Sequence, residues 1–331
     1  MFSGKAWRAI DFGSPGDVLR LTDATWDAPT SGRVLVKVSA VGLGYPDVLI
    51  TSGTFPFASV LPAEPGQEVA GEVVAAPEGS RFAVGDRILG FAPFLEGVGG
   101  LSEYSYVWEF FARPIPAGMT DEEAAGFLIS FKTAHHALVD NITLVPGETL
   151  LVLGAAGGSG AAAVQLGKAL GVTVIAAASS AEKRAFCASI GADHAVDYTH
   201  GAFADEVQRL TGGAGVDAVF DPVGGELGVQ ASKLLAPGGR FMLVGYAGGS
   251  FPTIDPMDLL TRNAKLVGVL GGAFASLNVD AAAMDRVADL AAHKEIRTPL
   301  GTVFGFDEAP TAISRIANRT AIGKSVIRVA A

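Results

Sequence analysis

The sequence predicts an α/β protein in which a β-rich domain is interrupted by a domain with a doubly wound parallel sheet. Three observations lead to this fold class. Short strands separated by glycine and proline fill the first part of the chain, apolar strands alternate with helices from about Glu148 onward, and β character returns after Leu300. Strands that alternate with helices are typical of a parallel sheet covered on both faces. We therefore expect residues 1–120 and 296–331 to form the β-rich domain and residues 121–295 the doubly wound domain.

Short strands with turn residues between them predict the β-rich domain. Pro65-Gly66 and Gly85-Asp86 are turn signals, and each precedes an apolar stretch. The predicted strands are Val34–Val38, Val69–Val74, Arg87–Gly90 and Glu103–Val107. Their length and spacing indicate a compact, barrel-like domain.

A change of pattern marks the second domain. Thr120 followed by Glu123 predicts a capping box at the start of a helical run from Ala124 to Val139. The predicted strands that follow are Leu150–Leu153, Val172–Ile175, Ala218–Asp221, Arg240–Val244 and Leu266–Val269. The predicted helices are Gly160–Leu170, Ala181–Ile190, Phe203–Leu210, Leu227–Leu235 and Asp280–His293. The first of these strands is continuously apolar, as expected for a strand buried on both faces.

The C-terminal stretch returns to β character. Thr302–Phe306 and Ser325–Val329 are predicted strands on either side of a helix at Ala309–Ala317. We expect these strands to rejoin the first domain.

Composition limits the possible partners of the chain. The formal net charge is −10, so the sequence lacks the basic surface expected for binding nucleic acid or anionic lipid. A single cysteine, Cys187, allows no intramolecular disulfide and no thiolate zinc site. Met1–Lys5 lacks the apolar core of a signal peptide, and the apolar stretch Leu150–Val164 is interrupted by glycines. We therefore expect a cytoplasmic protein without a membrane span.

A glycine-rich segment lies where the strand Leu150–Leu153 meets a helix. Its glycines follow the spacing G-x-x-G-x-x-G and would let the backbone approach a diphosphate beside a helix N-terminus. We expect the dinucleotide to contact Gly154, Ala156, Gly157, Gly158, Ser159 and Gly160. The alternative is a tight turn between strand and helix that binds no ligand.

The end of the next predicted strand indicates which dinucleotide is bound. NAD sites usually place a carboxylate there, whereas this strand ends Ala176–Ser180. Ser179, Ser180, Lys183 and Arg184 supply hydroxyls and cations that suit a 2′-phosphate. We therefore expect NADPH. The alternatives are a plain N-cap for Ser180 and a solvated helix face for the two cations.

Several ordered motifs together point to a known family. The segments are Gly42–Leu49, Pro65–Gly71, Val84–Ile88, Thr133-Ala134, Pro146–Leu150, Gly154–Gly160, Ala163–Gly171, Asp221–Gly225, Pro237–Arg240 and Gly323-Lys324. With these motifs the chain resembles the medium-chain dehydrogenase/reductase superfamily, and within it the zinc-free quinone oxidoreductase (zeta-crystallin-like) branch. The resemblance covers nearly the whole chain.

The resemblance implies a GroES-like substrate domain, a Rossmann domain that binds NADPH, and a homodimer formed along the edge of the Rossmann sheet at Leu266–Phe274. It implies that Ser179, Lys183 and Tyr198 surround the 2′-phosphate. The residues implied along the nicotinamide half are Thr133, Val223, Tyr246 and Gly271, with Asn318 and Lys324 approaching from the C-terminal stretch.

The chain departs from the family pattern at several positions. Gly44 stands where quinone oxidoreductases commonly carry asparagine, and His135 stands where they carry tyrosine. Phe55 lies in the segment where enoyl-thioester reductases often have a tyrosine proton donor. We expect no metal, because the zinc ligands of the superfamily are missing and the adjacent His135 and His136 would face different ways on a helix.

These observations predict an NADPH-dependent oxidoreductase that transfers hydride to a quinone or another small conjugated carbonyl without metal. Tyr45 is a candidate to hydrogen-bond the substrate carbonyl, the alternative being a packed aromatic. His135 is a candidate proton relay, the alternative being a satisfied helix histidine. We expect Asp47 to brace its loop rather than act on substrate.

Two other functions are compatible with the sequence. One is an oxidoreductase of the same class that reduces a carbon–carbon double bond, namely an enone or enoyl-thioester double-bond reductase. The other is a sensor or structural protein that binds NADPH without turnover, because fold alone does not fix function.

Overall fold

The structure, a computed structural model, describes residues 1–57, 60–270 and 277–329. The strands, numbered along the chain, are β1 (Phe2–Ala9), β2 (Leu19–Trp26), β3 (Arg33–Gly42), β4 (Glu68–Ala75), β5 (Arg87–Phe91), β6 (Tyr104–Trp108), β7 (Arg113–Pro114), β8 (Thr149–Val152), β9 (Thr173–Ala178), β10 (His194–Asp197), β11 (Val216–Asp221), β12 (Leu235–Leu243), β13 (Lys265–Gly268), β14 (Leu300–Gly305) and β15 (Lys324–Arg328).

The helices follow the same numbering. They are α1 (Pro15–Val18), α2 (Tyr45–Ser52), α3 (Asp121–Ala125), α4 (Leu128–His135), α5 (Gly158–Ala169), α6 (Ala181–Ser189), α7 (Phe203–Leu210), α8 (Gly225–Ser232), α9 (Pro256–Leu260), α10 (Leu277–Ala292) and α11 (Ala309–Ala317). A π-helical segment, His136–Asn141, follows α4, and single 3-10 turns lie at Phe94–Glu96 and Phe306–Glu308. None of the described helices is long and apolar enough to cross a membrane.

The chain forms two compact units. The first is Met1–Leu128 together with Thr298–Ala331, and the second is Ile129–Arg297. The first boundary lies later in the chain than the sequence predicts, because α3 is attached to the first unit. Thr298 Oγ1 donates to the carbonyl oxygen of Glu123 at 2.6 Å, and Arg328 Nε pairs with Glu122 at 2.7 Å.

The first unit is built on a mixed sheet. Among the described residues its strands run in the order β14-β15-β3-β4-β5-β7, with β6 also pairing with β3. Strands β14 and β15 are parallel to each other, and β15 pairs antiparallel with β3, so the C-terminal strands rejoin the first unit as the sequence predicts. Val36, Val38 and Ile327 are buried in its core. The hairpin of β1 and β2 forms a separate small sheet.

The second unit has the predicted parallel sheet. Within the described ranges its order is β10-β9-β8-β11-β12-β13, with helices between successive strands. The strand order reverses between β8 and β11, and ligands of such sheets bind at the carboxyl ends of the strands beside that reversal. Leu151, Ile175 and Phe241 are buried in its core. Strand β13 is at one edge, and residues 271–274 of the expected dimer edge lie outside the described residues.

Candidate nucleotide-binding site

The glycine-rich turn lies directly after β8, at the reversal of the strand order. Gly154 adopts a left-handed conformation with φ of 56°, and Gly157 is the N-cap of α5. A Cβ on Gly160 would lie 2.5 Å from the carbonyl oxygen of Gly154, so the turn packs against the helix in a way that only glycine permits. The N–H groups of Gly158, Ser159 and Gly160 precede the first intrahelical hydrogen bond, from Ala161 N to Gly157 O at 2.8 Å, and are available to an anion.

The turn after β11 touches the glycine-rich turn. A Cβ on Gly154 would lie 2.8 Å from Val223 Cγ2, so these two predicted cofactor residues are neighbours. Asp221 organises this second turn, because its Oδ1 accepts hydrogen bonds from Val223 N at 2.8 Å and Gly224 N at 2.7 Å. Burial raises the pKa of Asp221, and its Oδ2 has no hydrogen-bond partner among the described residues. Tyr246 is half-buried in the loop after β12, where its ring lies 4.7 Å from that of Phe251.

The residues predicted for the adenosine end lie at the carboxyl ends of β9 and β10. Ser180 is the N-cap of α6, with Oγ accepting from Lys183 N at 3.2 Å, so the N-cap interpretation of this serine is confirmed. Lys183 Nζ lies 3.4 Å from Ser179 Oγ, and burial lowers the pKa of Lys183. Tyr198 directly follows β10 and packs against the core of the second unit.

A carboxylate that the sequence analysis missed also lies at this end of the sheet. Asp197 is the last residue of β10 and the register partner of Ala178, the last residue of β9. Its Oδ2 forms an ion pair with Arg184 Nη1 at 2.5 Å. Arg184 is therefore engaged in an ion pair, and although β9 ends without a carboxylate, as the sequence shows, the neighbouring strand β10 supplies one.

His135 is buried in a network with Asp140 and Arg286. Its Nδ1 lies 3.3 Å from Asp140 Oδ2, and Arg286 Nε donates to its Nε2 at 3.1 Å. Because Nε2 accepts a hydrogen bond, the neutral imidazole ring carries its proton on Nδ1, which faces Asp140. Both ring nitrogens therefore have hydrogen-bond partners. Burial lowers the pKa of His135. This arrangement favours a satisfied helix histidine over the proton relay.

The first unit contains the segment around Tyr45. Tyr45 begins α2 and is half-buried, and the preceding Gly44 has φ of −146°, which any residue can adopt. A Cβ on Gly44 would contact only Pro46 Cδ, at 3.4 Å, so the backbone does not require glycine here. Phe55 is buried, with its ring 5.6 Å from that of Phe57, and belongs to the core of the first unit.

Asp47 braces two loops of the first unit, as the sequence predicts. Its Oδ2 accepts from Gly44 N and its Oδ1 from Gly66 N, both at 2.7 Å. Only 1% of Asp47 is exposed, and this burial raises its pKa to about 6.

The remaining predicted residues lie in several different elements. Lys324 forms a buried ion pair with Glu68, whereas Asn318 caps the C-terminus of α11 and is exposed. Thr133 is buried in α4, and Gly271 lies outside the described residues. The described part of the chain contains no group of three or more histidine, cysteine or acidic side chains placed to hold a metal.

A cavity of about 310 Å³ lies away from these turns. Its lining includes Glu148, which precedes β8, and Lys265, the first residue of β13, together with Arg240, the register partner of Lys265 on β12. These residues lie on the side of the parallel sheet opposite the glycine-rich turn. The cavity therefore does not form part of the nucleotide site.

Two family models match the chain. Residues 30–117 match the alcohol dehydrogenase GroES-like domain, and residues 158–289 match a family described as zinc-binding dehydrogenase. The chain is 32% identical to quinone oxidoreductase-like protein 2 homolog of Nematostella vectensis, over 98% of this chain and 89% of that protein. It is also 32% identical to quinone oxidoreductase of Rattus norvegicus, over 80% of this chain and 79% of that protein.

Solved structures share the fold over the full length. A mycobacterial protein solved in complex with NADPH superposes with a TM-score of 0.88 at 30% identity, covering 98% of this chain and 100% of that one. The CurK enoyl reductase superposes with a TM-score of 0.84 at 25% identity, covering 98% and 99%.

Proposed function

Because the chain belongs to the quinone oxidoreductase branch of the medium-chain dehydrogenase/reductase superfamily, we propose that it uses NADPH to reduce a quinone or another small conjugated carbonyl. The observation that carries the proposal is the turn Gly154–Gly160 at the reversal of the strand order, with its free helix N-terminus. The mycobacterial relative in complex with NADPH supports the choice of cofactor.

The residues present fit a dinucleotide. A Cβ on Gly157 would meet only Gly154 O, at 3.4 Å, so the face of the helix N-terminus has room for a diphosphate. Ser179 Oγ and the Lys183 ammonium, 3.4 Å apart, offer a donor and a charge to a 2′-phosphate. Val223, held by Asp221 against the glycine-rich turn, would lie beside the nicotinamide half.

The protein's contribution to the reaction is mainly positioning. NADPH, when bound, supplies the hydride. The N–H groups of Gly158–Gly160 would hold the diphosphate, and Val223 would limit the position of the nicotinamide ring. Tyr45 donates a hydrogen bond to the substrate carbonyl in this proposal. His135 takes no part, because both of its ring nitrogens are engaged, and a reduced quinone draws its protons from water.

Double-bond reduction is the second candidate function. The likeness to the CurK enoyl reductase favours it, whereas the buried Phe55 offers no proton at the position where such enzymes often carry tyrosine. The two activities leave different products, since reduction of the double bond leaves the carbonyl intact.

A turnover screen tests the proposal. The purified protein is given NADPH or NADH with a panel of quinones, enones and enoyl thioesters, and calorimetry measures uptake of each nucleotide. We expect NADPH to bind more tightly and to be oxidised fastest with quinones. Saturated ketones or saturated thioesters as products would favour the double-bond reductase. Tight NADPH binding without turnover on any substrate would indicate a non-catalytic protein, and absence of NADPH uptake would contradict the proposal.

A further inference from the structure

The carboxyl end of β10 carries a fixed pair of opposite charges. Arg184 on α6 lies 2.5 Å from Asp197 Oδ2. The other oxygen, Oδ1, accepts hydrogen bonds from Thr199 N at 2.8 Å and Thr199 Oγ1 at 2.6 Å. These bonds from Thr199, with the charge of Arg184, lower the pKa of Asp197, so the carboxylate is ionised at neutral pH. His200, largely exposed, reaches within 3.9 Å of the same carboxylate.

This pair lies where a 2′-phosphate would bind. Asp197 is the register partner of Ala178, the last residue of β9, and Ser179 directly follows that strand. Neighbouring strands are roughly 4.8 Å apart, so the backbones of Asp197 and Ala178 are adjacent, and a phosphate held by Ser179 and Lys183 would lie near the carboxylate. Such a distance is well within the Debye length at physiological salt, which is about 8 Å. An unpaired carboxylate here would repel the phosphate, as a carboxylate at the end of β9 would.

We propose that Arg184 determines nucleotide specificity by neutralising Asp197, which allows the adenosine end of the site to accept a 2′-phosphate. The inference rests on the proposed use of NADPH and adds a residue to it. Ser179 and Lys183 make the direct contacts, and Arg184 is a positioning residue that acts through Asp197. The pair as a whole has no net charge, so losing both members disturbs the site less than losing Arg184 alone.

The opposite end of the same strand provides a matched control. Asp193 precedes β10, pairs with Lys168 Nζ at 2.7 Å and accepts from Val174 N at 2.7 Å. It thus makes the same kinds of contact as Asp197, an ion pair to a helix and a bond from a backbone N–H. It lies at the amino-terminal end of the strand, away from the nucleotide, so its loss should not change specificity.

The experiment measures the dissociation constants of NADPH and NADH by calorimetry at low ionic strength. The variants are Arg184→Gln, Asp197→Asn, the double variant and Asp193→Asn, with Arg184→Met as a second neutral replacement that keeps the packed stem. Thermal unfolding checks that each is folded. The quantity compared is the NADPH preference, defined as the ratio of the NADH and NADPH dissociation constants. If Arg184 had a purely structural role, its loss would lower the affinity for both nucleotides equally and leave this ratio unchanged.

We expect Arg184→Gln to lower the NADPH preference about tenfold and Asp197→Asn to raise it about threefold. The double variant should return to within about threefold of the wild type, and high salt should reduce these differences. Asp193→Asn should leave the preference unchanged. Three results would overturn this inference and leave the proposed function intact. They are an unchanged NADPH preference in Arg184→Gln, an equal loss of affinity for NADPH and NADH in that variant, and a double variant whose preference does not recover. A wild-type protein that takes up no NADPH would overturn the proposed function and this inference with it.

Discussion

The two segments that carry the main candidate residues are built in different ways. The turn Gly154–Gly160 of the second unit is made of backbone, because Gly160 packs against the Gly154 carbonyl where any Cβ would clash. The loop Gly44–Asp47 of the first unit is organised by one side chain, the Asp47 carboxylate, which also binds the N–H of Gly66. The conformation of the glycine-rich turn is therefore set by its own local sequence, whereas the conformation of the Gly44–Asp47 loop depends on a contact with a distant segment. Substitutions at the two segments should therefore fail in different ways.

The largest effect is expected at Gly160. Gly160→Ala would place a methyl group 2.5 Å from Gly154 O and 2.8 Å from Ala155 Cα, both backbone atoms that cannot move aside cheaply. Forced repacking of this kind costs about 3 kcal/mol, which exceeds the gain of about 1 kcal/mol from replacing helical glycine by alanine. We expect urea denaturation to show a net loss of about 2 kcal/mol and calorimetry to show at least about tenfold weaker NADPH binding.

Gly157→Ala is the matched control for this prediction. Gly157 has φ of −84°, and its Cβ would make only an ordinary contact of 3.4 Å. The free energy of unfolding should stay within about 0.5 kcal/mol of the wild type, while NADPH binding weakens because the methyl enters the space for the diphosphate. A stable Gly160→Ala protein with normal NADPH affinity would contradict the account of the turn as a backbone site.

The second prediction concerns the pH dependence of stability that Asp47 causes. Its folded pKa of about 6 lies above its ordinary value, so the folded protein holds this proton more tightly than the unfolded chain. The resulting stabilisation is complete below about pH 4 and is lost as the pH rises through about 6. We expect the difference in unfolding free energy between the wild type and Asp47→Asn to fall by about 2 kcal/mol between about pH 4.5 and pH 7.5.

Asp86→Asn controls for the change of charge. Asp86 is an exposed carboxylate of the same unit that accepts from Ala83 N at 2.8 Å. Urea denaturation of this variant measures the effect of removing one exposed carboxylate from the same unit. Parallel profiles for the wild type and Asp47→Asn would show that burial does not raise the pKa of Asp47, which would contradict this prediction.

The same contrast explains which features could be predicted from the sequence. The positions of β8, β9, β11, β12 and β13 along the chain follow from apolar runs and glycines, and so does the position of the glycine-rich turn. Strand β10 was missed because it has four residues and a single fully buried side chain, Val196. Because β10 was not predicted, the sequence analysis did not identify Asp197, the carboxylate at the carboxyl end of that strand.

Long-range contacts account for other differences. The helical run predicted from Ala124 to Val139 is interrupted at Gly126, where a Cβ would lie 2.8 Å from Lys324 Cγ and from Thr298 Cγ2. Arg286, which engages His135, is far away in the chain. A local sequence pattern cannot predict a partner so far along the chain. The sequence alone therefore could not decide whether His135 is a proton relay or a packed histidine.

The smallest effect tests whether the first unit contributes more than a scaffold. Tyr45→Phe removes one hydroxyl from a half-buried ring, and the free energy of unfolding should stay within about 0.5 kcal/mol of the wild type. If Tyr45 binds the carbonyl, kcat/KM for a model quinone should fall about fivefold, the value of one hydrogen bond, with NADPH affinity unchanged.

Tyr106→Phe is the control, because the Tyr106 hydroxyl forms hydrogen bonds with the backbone of Asp27 at 3.0 Å and 3.2 Å within the same unit. That variant should lose about 1 kcal/mol of stability and keep its turnover. Equal turnover in both variants would leave Tyr45 a packed aromatic, and hydride transfer would then depend on the backbone turn and the residues around it.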